Sequence, residues 1–186
     1  MKVREAIALL FEAGLLKHTP RAGWLTIGIK DCESVAEHCW RTAVTGFVLA
    51  GMEGADARKT ALLCLFHDFH EARMGDIHAL AGRYLTKNAA KAAEDVARGH
   101  QDILALWREF EFGESKEAVV ARDADALEML LQAKEYVDEG KPLARDWIKS
   151  ALAKLKTPSA KKIASLVLAQ GSRDWMFRAY WQAAKD

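Results

Sequence analysis

The sequence predicts an all-α protein that folds as a single globular domain. Residues of high helix propensity, above all Ala, Leu, Lys, Arg and Glu, dominate the chain, and only Pro20, Pro142 and Pro158 interrupt it. No segment shows the alternation of apolar and polar residues that marks a half-buried strand. The 186 residues, 51% of them hydrophobic, suffice for the core of one domain.

Charge and cysteine content limit the partners that we expect. The formal net charge is +1, so no overall field attracts nucleic acid or an anionic membrane. No apolar run reaches the roughly 18 residues of a transmembrane helix, and the first residues lack a secretion signal. The three cysteines, Cys32, Cys39 and Cys64, form no CxxC pair. We expect a cytoplasmic protein that binds neither nucleic acid nor membrane.

The first helix is predicted over Val3–Ala13, and Gly14 stands where a C-terminal cap is expected. Four apolar residues share one face of this helix: Val3, Ile7, Leu10 and Phe11. A long connection follows over residues 17–33. It contains Arg21 and Trp24, which suit either a functional loop or an ordinary loop with a buried tryptophan.

The second helix opens with a capping box, Ser34–Glu37, and is predicted to continue through Ala50, with His38 in its first turn. Its expected core residues are Val35, Cys39, Phe47 and Val48. After a turn, a third helix is predicted from about residue 57 to residue 74, and Gly75 ends it.

The second half of the chain is also helical. Residues 76–87 are expected to be irregular and exposed. Five helices are predicted after them: 88–110, 116–138, 142–155, one that starts at Thr157-Pro158 and stops at Gly171, and one capped by Ser172 or Asp174. The helices from about residue 142 to residue 186 are expected to pack on the rest, so that residues 1–186 form one domain.

An unusual concentration of ionisable residues lies in the stretch Leu62–Ile77. It begins as an apolar helix and then places four such residues within little more than one turn: His67, Asp68, His70 and Glu71. An unpaired buried charge costs several kcal/mol, so these groups need partners. A divalent metal ion is the simplest partner for a neighbouring imidazole and carboxylate.

Further ligand types lie on the other predicted helices. With His38 and with Asp125, the His67-Asp68 pair gives two imidazoles and two carboxylates on three helices. Such mixed donors suit Mn²⁺, Co²⁺, Fe²⁺, Ni²⁺ or Zn²⁺ better than Ca²⁺ and leave coordination positions for water and substrate. Each residue alone has an ordinary structural explanation, and Asp123 or Asp125 alone could be a surface carboxylate; the hypothesis depends on the set of four.

Two more acidic residues stand near this set. Glu71 follows His67 by four residues and Asp68 by three, so on a continuous helix all three share a face. Glu71 is therefore expected to move a proton or to orient water. Asp76, just beyond Gly75, can enter the same pocket from the following loop.

Several motifs of the chain resemble those of the HD-domain metal-dependent phosphohydrolases, and more closely their 5′-deoxynucleotidase subgroup. The motifs are Thr19-Pro-Arg-Ala-Gly-Trp24, Glu33-Ser-Val-Ala-Glu-His38, Leu65-Phe-His-Asp-Phe-His-Glu71, Gly75-Asp-Ile77 and Asp125-Ala-Leu-Glu-Met-Leu130. The resemblance implies the helical HD-domain fold, with the metal bound by His38, His67, Asp68 and Asp125. Asp125 matches the family aspartate better than Asp123, because a small residue and an apolar run follow it.

The resemblance also implies roles in substrate binding and catalysis. Glu71 matches the catalytic glutamate, Arg21 an arginine that orients the phosphate, Trp24 a tryptophan that shapes the sugar site, and Asp76 an acidic residue that contacts substrate. The residues expected at the substrate are Arg21, Trp24, Asp68, Asp76 and Asp125. The chain departs from many relatives after Asp76, where it reads Ile77-His-Ala-Leu80 without the usual proline.

The function that follows is metal-dependent hydrolysis of a nucleoside or deoxynucleoside 5′-monophosphate to nucleoside and phosphate. The cofactor is expected to be a divalent transition metal, Co, Mn, Fe, Ni or Zn. Two alternatives are an HD-type phosphodiesterase or pyrophosphohydrolase that acts on another nucleotide, and a nucleotide sensor without catalysis. A helical scaffold with a structural metal is a further alternative. Because relatives tend to pair, a homodimer is expected.

Overall fold

The computed structural model describes residues 2–86 and 88–183, and within these ranges it contains helices and no β-strand. The helices are α1 (Val3–Ala13), α2 (Ala22–Leu25), α3 (Val35–Glu53), α4 (Ala57–Phe66), α5 (Glu71–Met74), α6 (Ala79–Gly82), α7 (Ala89–Ala97), α8 (Gln101–Phe112), α9 (Lys116–Asp138), α10 (Arg145–Lys154), α11 (Pro158–Leu168) and α12 (Asp174–Ala183). The predicted all-α class is confirmed. The ends of the predicted domain at 1 and 184–186, and residue 87 of the predicted exposed segment, lie outside the described residues.

Helix α9 is the central helix of the fold. It packs against α3, α4, α8, α10 and α11. Its buried positions alternate small and large residues, with Ala124 and Ala126 beside Leu127 and Leu130, and small side chains let neighbouring helices approach closely. Its bounds, Lys116–Asp138, are those that the sequence predicts.

Helix α3 begins as predicted. The side chains of Ser34 and Glu37 each bind the other residue's backbone N–H, which completes the capping box. The predicted burial of Phe47 and Val48 is wrong, since both are more than half exposed, and Leu49 and Ala50 are the buried pair instead. One residue of offset turns a helical side chain by about 100°, enough to exchange the inner and outer faces.

The apolar face that periodicity locates on α1 is largely exposed. Val3, Leu10 and Phe11 are 75%, 74% and 79% exposed, and the residue of α1 in the core is Leu9. Gly14 does not end the helical path, because its φ is −62° and the chain continues into a 3₁₀ turn, Gly14–Lys17.

The predicted helix over residues 57–74 is interrupted. Helix α4 ends at Phe66, and turn hydrogen bonds lead to α5, which Gly75 terminates with φ +69°. Nδ1 of His67 lies 2.6 Å from the carbonyl oxygen of Cys64. A continuing α-helix would give that carbonyl to the N–H of Asp68, so the imidazole replaces a helical hydrogen bond.

Two more predicted segments differ from the structure. The helix expected over residues 88–110 is divided into α7 and α8, because Arg98 and Gly99 have φ values of 48° and 81°. The segment expected to be irregular contains the short helix α6. Within the described ranges, none of the helices is both long and apolar enough to cross a bilayer.

Candidate metal centre

Three segments of the fold bring the predicted ligands together. His38 lies in the first turn of α3, His67 and Asp68 occupy the turn directly after α4, and Asp125 lies in the middle of α9. Because α3, α4 and α9 pack against one another, these positions meet at their junction. The sequence predicts His67 and Asp68 within a helix, whereas the structure places them just past its end.

The coordinating atoms lie close to one another. Nε2 of His38 is 3.3 Å from Nε2 of His67 and 3.2 Å from Oδ1 of Asp125. Nε2 of His67 is 3.1 Å from Oδ2 of Asp68 and 3.9 Å from Oδ1 of Asp125. His38, His67 and Asp68 offer atoms that all lie within 4.8 Å of one another, and this group does not include Asp125, whose Oδ1 approaches the two imidazoles from α9.

This arrangement fits a transition-metal ion. Two ligand atoms that are each about 2.1 Å from one ion lie about 3.0–3.4 Å apart in octahedral or tetrahedral geometry. The rings of His38 and His67 are 0% and 2% exposed, and their Nε2 atoms face each other across the distance that such an ion requires. The donor set of imidazoles and carboxylates suits Mn, Fe, Co, Ni or Zn.

Glu128 and Arg41 fix the ring of His38, and neither is among the predicted site residues. The fully buried carboxylate of Glu128 binds Nδ1 of His38 through one oxygen. Its other oxygen accepts a hydrogen bond of 2.8 Å from Nε of Arg41, which also binds Glu135. These contacts direct Nε2 of His38 towards the centre. The available signal was an acidic residue within an otherwise apolar run, three positions after Asp125.

The charges of the centre perturb one another. Burial acts against protonation of His38, but the neighbouring carboxylates outweigh it and raise the pKa of His38 to about 10. Burial alone would raise the pKa of Asp125 and of Asp68. At Asp125 the histidines outweigh burial and lower the pKa to about 2, and at Asp68 the charges of His67 and Arg21 hold the pKa well below its usual value. A divalent cation bound here would compete with protons for the imidazole nitrogens, so its affinity should fall as the pH is lowered.

Arg21 lies beside the centre, as predicted. Its Nη1 is 3.3 Å from Oδ2 of Asp68 and 3.7 Å from Oδ2 of Asp76. Asp76 in turn accepts a hydrogen bond of 2.7 Å from the backbone N–H of Ala22. This contact ties the segment after α5 to the start of α2, so a guanidinium and two carboxylates share the rim of the centre.

Glu71 is half-buried next to the same carboxylates, with its Oε2 atom out of contact with solvent. Its Oε2 has no hydrogen-bond partner among the residues that the structure describes. Burial first, and then the charges of Asp68 and Asp76, raise the pKa of Glu71 to about 9. A buried carboxyl group of raised pKa beside a candidate metal centre is suited to hold and transfer a proton.

Trp24 has a different environment from Arg21. Its indole is 2% exposed, and its Nε1 donates a hydrogen bond of 3.0 Å to Glu33. The ring packs edge-on against Tyr136 and lies 5.2 Å from the ring of Trp147. Trp24 therefore supports the wall of the pocket and presents little surface to a ligand.

The structure separates the two aspartates that the sequence left as alternatives. Asp123 is buried and points towards the start of α11, where it accepts hydrogen bonds from the N–H of Lys156 and from the N–H and hydroxyl of Thr157, at 2.7–3.1 Å. Asp125, two residues later on α9, faces the histidines. Asp123 thus has a structural contact, and Asp125 has the geometry of a ligand.

Comparison with known proteins identifies the family. A family model described as HD domain matches residues 13–166, which is most of the chain. The chain belongs to the HD-domain family. As an HD-domain protein it is similar to the 5′-deoxynucleotidase HDDC2 of Bos taurus, with 31% identity over 87% of this chain and 83% of that protein. The HDDC2 of Homo sapiens is 30% identical over 91% of this chain and 87% of its own length.

A solved structure shares this fold. A conserved hypothetical protein from Pyrococcus furiosus is 30% identical and superposes with a TM-score of 0.76, over 88% of this chain and 99% of that one. The family and its relatives identify this HD-domain protein as a metal-dependent phosphohydrolase. The predicted family, fold class and enzyme class are confirmed.

A second group of possible ligands exists within the described ranges of this HD-domain enzyme. It consists of Glu33, His38 and Glu128. It shares His38 with the first group, and Glu128 already pairs with Arg41. This group therefore supports the orientation of His38 and provides no separate second metal centre.

The rim of the HD-domain centre opens into a cavity of about 610 Å³. Arg21 and Asp76 line this cavity, and so do residues of α10, among them Trp147. This volume lies within the range of about 300–1,000 Å³ that is usual for small-molecule sites.

Proposed function

We propose that this enzyme hydrolyses nucleoside 5′-monophosphates, with deoxynucleotides among them, to the nucleoside and inorganic phosphate. The observation that carries the proposal is the juxtaposition of the ligand set with Arg21 in the wall of a cavity large enough for a nucleoside. The activity printed in the names of its relatives, 5′-deoxynucleotidase, agrees with it.

His38, His67, Asp68 and Asp125 would hold the metal in this proposal. A divalent ion bound there supplies charge that lowers the pKa of water and neutralises the phosphate. Co, Mn, Fe, Ni and Zn all suit these donors. Glu128 keeps His38 in the tautomer and orientation that such binding needs.

Arg21 binds the phosphate. Its guanidinium offers a planar pair of donors that matches two phosphate oxygens, which a lysine ammonium cannot do. Asp68 and Asp76 hold the guanidinium in place before substrate arrives and keep it charged. Asp76 also fixes the backbone of Ala22, so the phosphate end of the pocket is built in advance.

Glu71 transfers the proton. Water attacks the phosphorus, the bond from phosphorus to the 5′-oxygen breaks, and the proton lost by the water passes through Glu71 to that oxygen as the nucleoside leaves. The burial of Glu71 and its unpartnered Oε2 leave one oxygen available for this exchange. Removal of one proton-transfer group costs about 10²–10⁴-fold in rate.

The test is phosphate release from all common NMPs and dNMPs, with metal-free protein and with protein loaded with Co²⁺ or Mn²⁺. A matched pair of variants accompanies it. We expect Glu71→Gln to lose about 10²–10⁴-fold in kcat, and Glu94→Gln, an equally small change at an exposed ion pair with Arg108, to retain wild-type kcat. If no monophosphate is hydrolysed by any loaded form, the proposal is wrong.

Additional substrates and measurements separate the alternatives. Cyclic dinucleotides and nucleoside triphosphates test a phosphodiesterase and a pyrophosphohydrolase, and calorimetry with dAMP tests a sensor that binds without turnover. Metal analysis of the purified protein identifies the ion. A scaffold with a structural metal predicts no hydrolysis and no effect of Glu71→Gln.

We further propose that the chain is a cytoplasmic homodimer and that residues 1–186 form one domain. The free thiols of Cys32, Cys39 and Cys64 suit a reducing compartment. One face of α3 is apolar and exposed over its length, and it can pair with the same face of a second copy about a two-fold axis: Trp40, Val44, Phe47, Val48 and Met52. Analytical ultracentrifugation should show a dimer, and Phe47→Glu should give a monomer.

A further inference from the structure

The cavity beside the metal centre extends well past the residues that the proposed reaction uses. Helix α10 forms part of the cavity wall, and four of its residues line the cavity: Asp146, Trp147, Ser150 and Lys154. They recur at intervals of three and four residues, so one face of α10 is turned to the cavity. None of these residues belongs to the motifs on which the family resemblance rests.

We propose that this face of α10 is the nucleobase subsite and that Trp147 is the surface on which the base stacks. The proposal rests on the proposed function, because it takes the phosphate to lie at Arg21. With the phosphate at Arg21, the sugar and base would occupy the rest of the cavity, which residues of α10 line.

Trp147 is the tryptophan that a ligand can reach. The cavity is lined by Trp24 and Trp147, but the indole of Trp24 is 2% exposed and its N–H is already bound to Glu33. Trp147 is only half-buried. Flat aromatic side chains with an exposed face are the usual partners of nucleobases, at about 1–3 kcal/mol per stacked base.

The ring of Trp147 is held in a defined position. Its centroid is 5.2 Å from that of Trp24, with 34° between the planes. A Cβ atom on Gly23 would lie 3.2 Å from Nε1 of Trp147, so the glycine allows the indole to approach the chain that carries Arg21. Ala151, one turn further along α10, is fully buried and fixes the helix to the core. An immobilised ring loses little entropy when a base stacks on it.

Apolar residues of other segments complete an apolar slot. Ile77 and Leu80, from the segment around α6, and Met129, from α9, line the same cavity as Trp147. Leu80 is 60% exposed and can contact a ligand without breaking core contacts. These side chains would provide apolar surface around a base that stacks on Trp147.

The polar residues of α10 lie around the slot. Asp146 is paired with Lys149 at 2.8 Å. Lys154 has no ion pair among residues 2–86 and 88–183. With the hydroxyl of Ser150 it offers hydrogen-bond donors, and every common base carries an acceptor for them, either a ring nitrogen or a carbonyl oxygen. Stacking accepts any base, so we expect the contribution of Trp147 to be shared by purine and pyrimidine nucleotides.

The experiment compares nucleotides with a substrate that lacks the base, 2-deoxyribose 5-phosphate, using metal-loaded enzyme. For each variant we take the ratio of kcat/KM for dAMP and for dTMP to kcat/KM for the abasic sugar phosphate. This ratio cancels changes in folding, metal content and phosphate binding, because both substrates depend on them equally.

We expect Trp147→Leu, which keeps an apolar side chain and removes the aromatic face, to lower this ratio about 10-fold for both nucleotides. Trp147→Phe should keep most of it. Trp175→Leu, the same change at a tryptophan of α12 that is 70% exposed, should leave the ratio at its wild-type value.

An unchanged ratio in Trp147→Leu overturns the proposal, and so does an equal loss in Trp147→Phe and Trp147→Leu. If wild-type enzyme hydrolyses neither nucleotide nor sugar phosphate, the proposed function fails, and calorimetry then decides the subsite separately. In that case deoxyadenosine should bind wild-type protein about 10-fold more tightly than Trp147→Leu, and equal affinities overturn the subsite.

Discussion

Two aspartates on one helix provide a sharp test of the site. Asp123→Ala and Asp125→Ala remove the same group at positions two residues apart on α9, but they should damage different properties. The carboxylate of Asp123 accepts hydrogen bonds from the N–H of Lys156 and from both donors of Thr157, whereas that of Asp125 faces the histidines of the metal centre.

The magnitudes follow from burial. Asp123 is 1% exposed and Thr157 is 9% exposed, so Asp123→Ala leaves the two donors of Thr157 without an acceptor and with little access to water. Each such donor costs about 1–3 kcal/mol, and the N–H of Lys156 adds to this, which gives a loss of about 3–5 kcal/mol. That is a large share of the roughly 5–15 kcal/mol that holds a typical domain folded.

Asp125→Ala should have the opposite profile. Its side chain is 28% exposed and its partners are imidazoles that Asp68 also contacts. The metal-free variant should therefore lose about 1 kcal/mol or less of unfolding free energy. Its affinity for Co²⁺ should fall at least about 100-fold, because removal of a direct ligand costs more than removal of an outer partner.

Urea unfolding of both metal-free variants and Co²⁺ titration by calorimetry measure the two quantities. The reasoning fails if Asp123→Ala unfolds at the wild-type urea concentration. It also fails if Asp123→Ala loses Co²⁺ binding while Asp125→Ala keeps it, since the ligand and the structural residue would then be exchanged.

Three more predictions follow from other parts of the fold. Glu128→Gln should weaken Co²⁺ binding about 10–100-fold by releasing Nδ1 of His38 from a carboxylate, measured by the same titration; unchanged affinity would show that Glu128 does not position the ring. Glu12 bridges Arg73 and Arg98, and its hydrogen bond to Arg73 lowers the pKa of Glu12. The ionised carboxylate therefore stabilises the folded state above the ordinary pKa of 4.5, and this contribution is lost as the pH falls through the lowered pKa. Glu12→Gln should thus cost about 1 kcal/mol in urea unfolding at pH 7, and the difference from wild type should shrink below pH 4.5; a constant difference would contradict this. Gly46→Ala should lower the free energy of unfolding by about 1–3 kcal/mol, because the new Cβ would lie 2.5 Å from Sγ of Cys64 in the packed contact of α3 with α4, and a thermal melt like that of wild type would show that the contact adapts.

The sequence predicted the candidate metal ligands but could not predict the residues that support them. His38 and the His67-Asp68 pair were predictable because polar groups in apolar helices require a partner. Glu128 has the same character, but its role depends on Arg41, which lies 87 residues earlier and is reached only in the folded chain. Supporting contacts of this kind have no local sequence signal.

The ends and the buried faces of the helices were likewise predictable only where the local sequence determines them. The bounds of α9 were predictable because its caps are local, whereas the end of α4 was not, because the side chain of His67 takes a carbonyl that the helix would use. Periodicity located an apolar face on α1, but it could not tell whether that face meets the core or remains at the surface.

The contacts that orient the ring of His38 have a practical consequence for handling the protein. The bond to Glu128, the bond from Arg41 to Glu128 and the packing of α3 on α9 are formed by protein groups alone and do not require an ion. A stripped preparation should therefore keep its fold and accept whichever ion the buffer supplies. Activity measured after purification would then report the loading history of the sample, and quantitative comparison of preparations requires the metal to be removed and replaced under defined conditions.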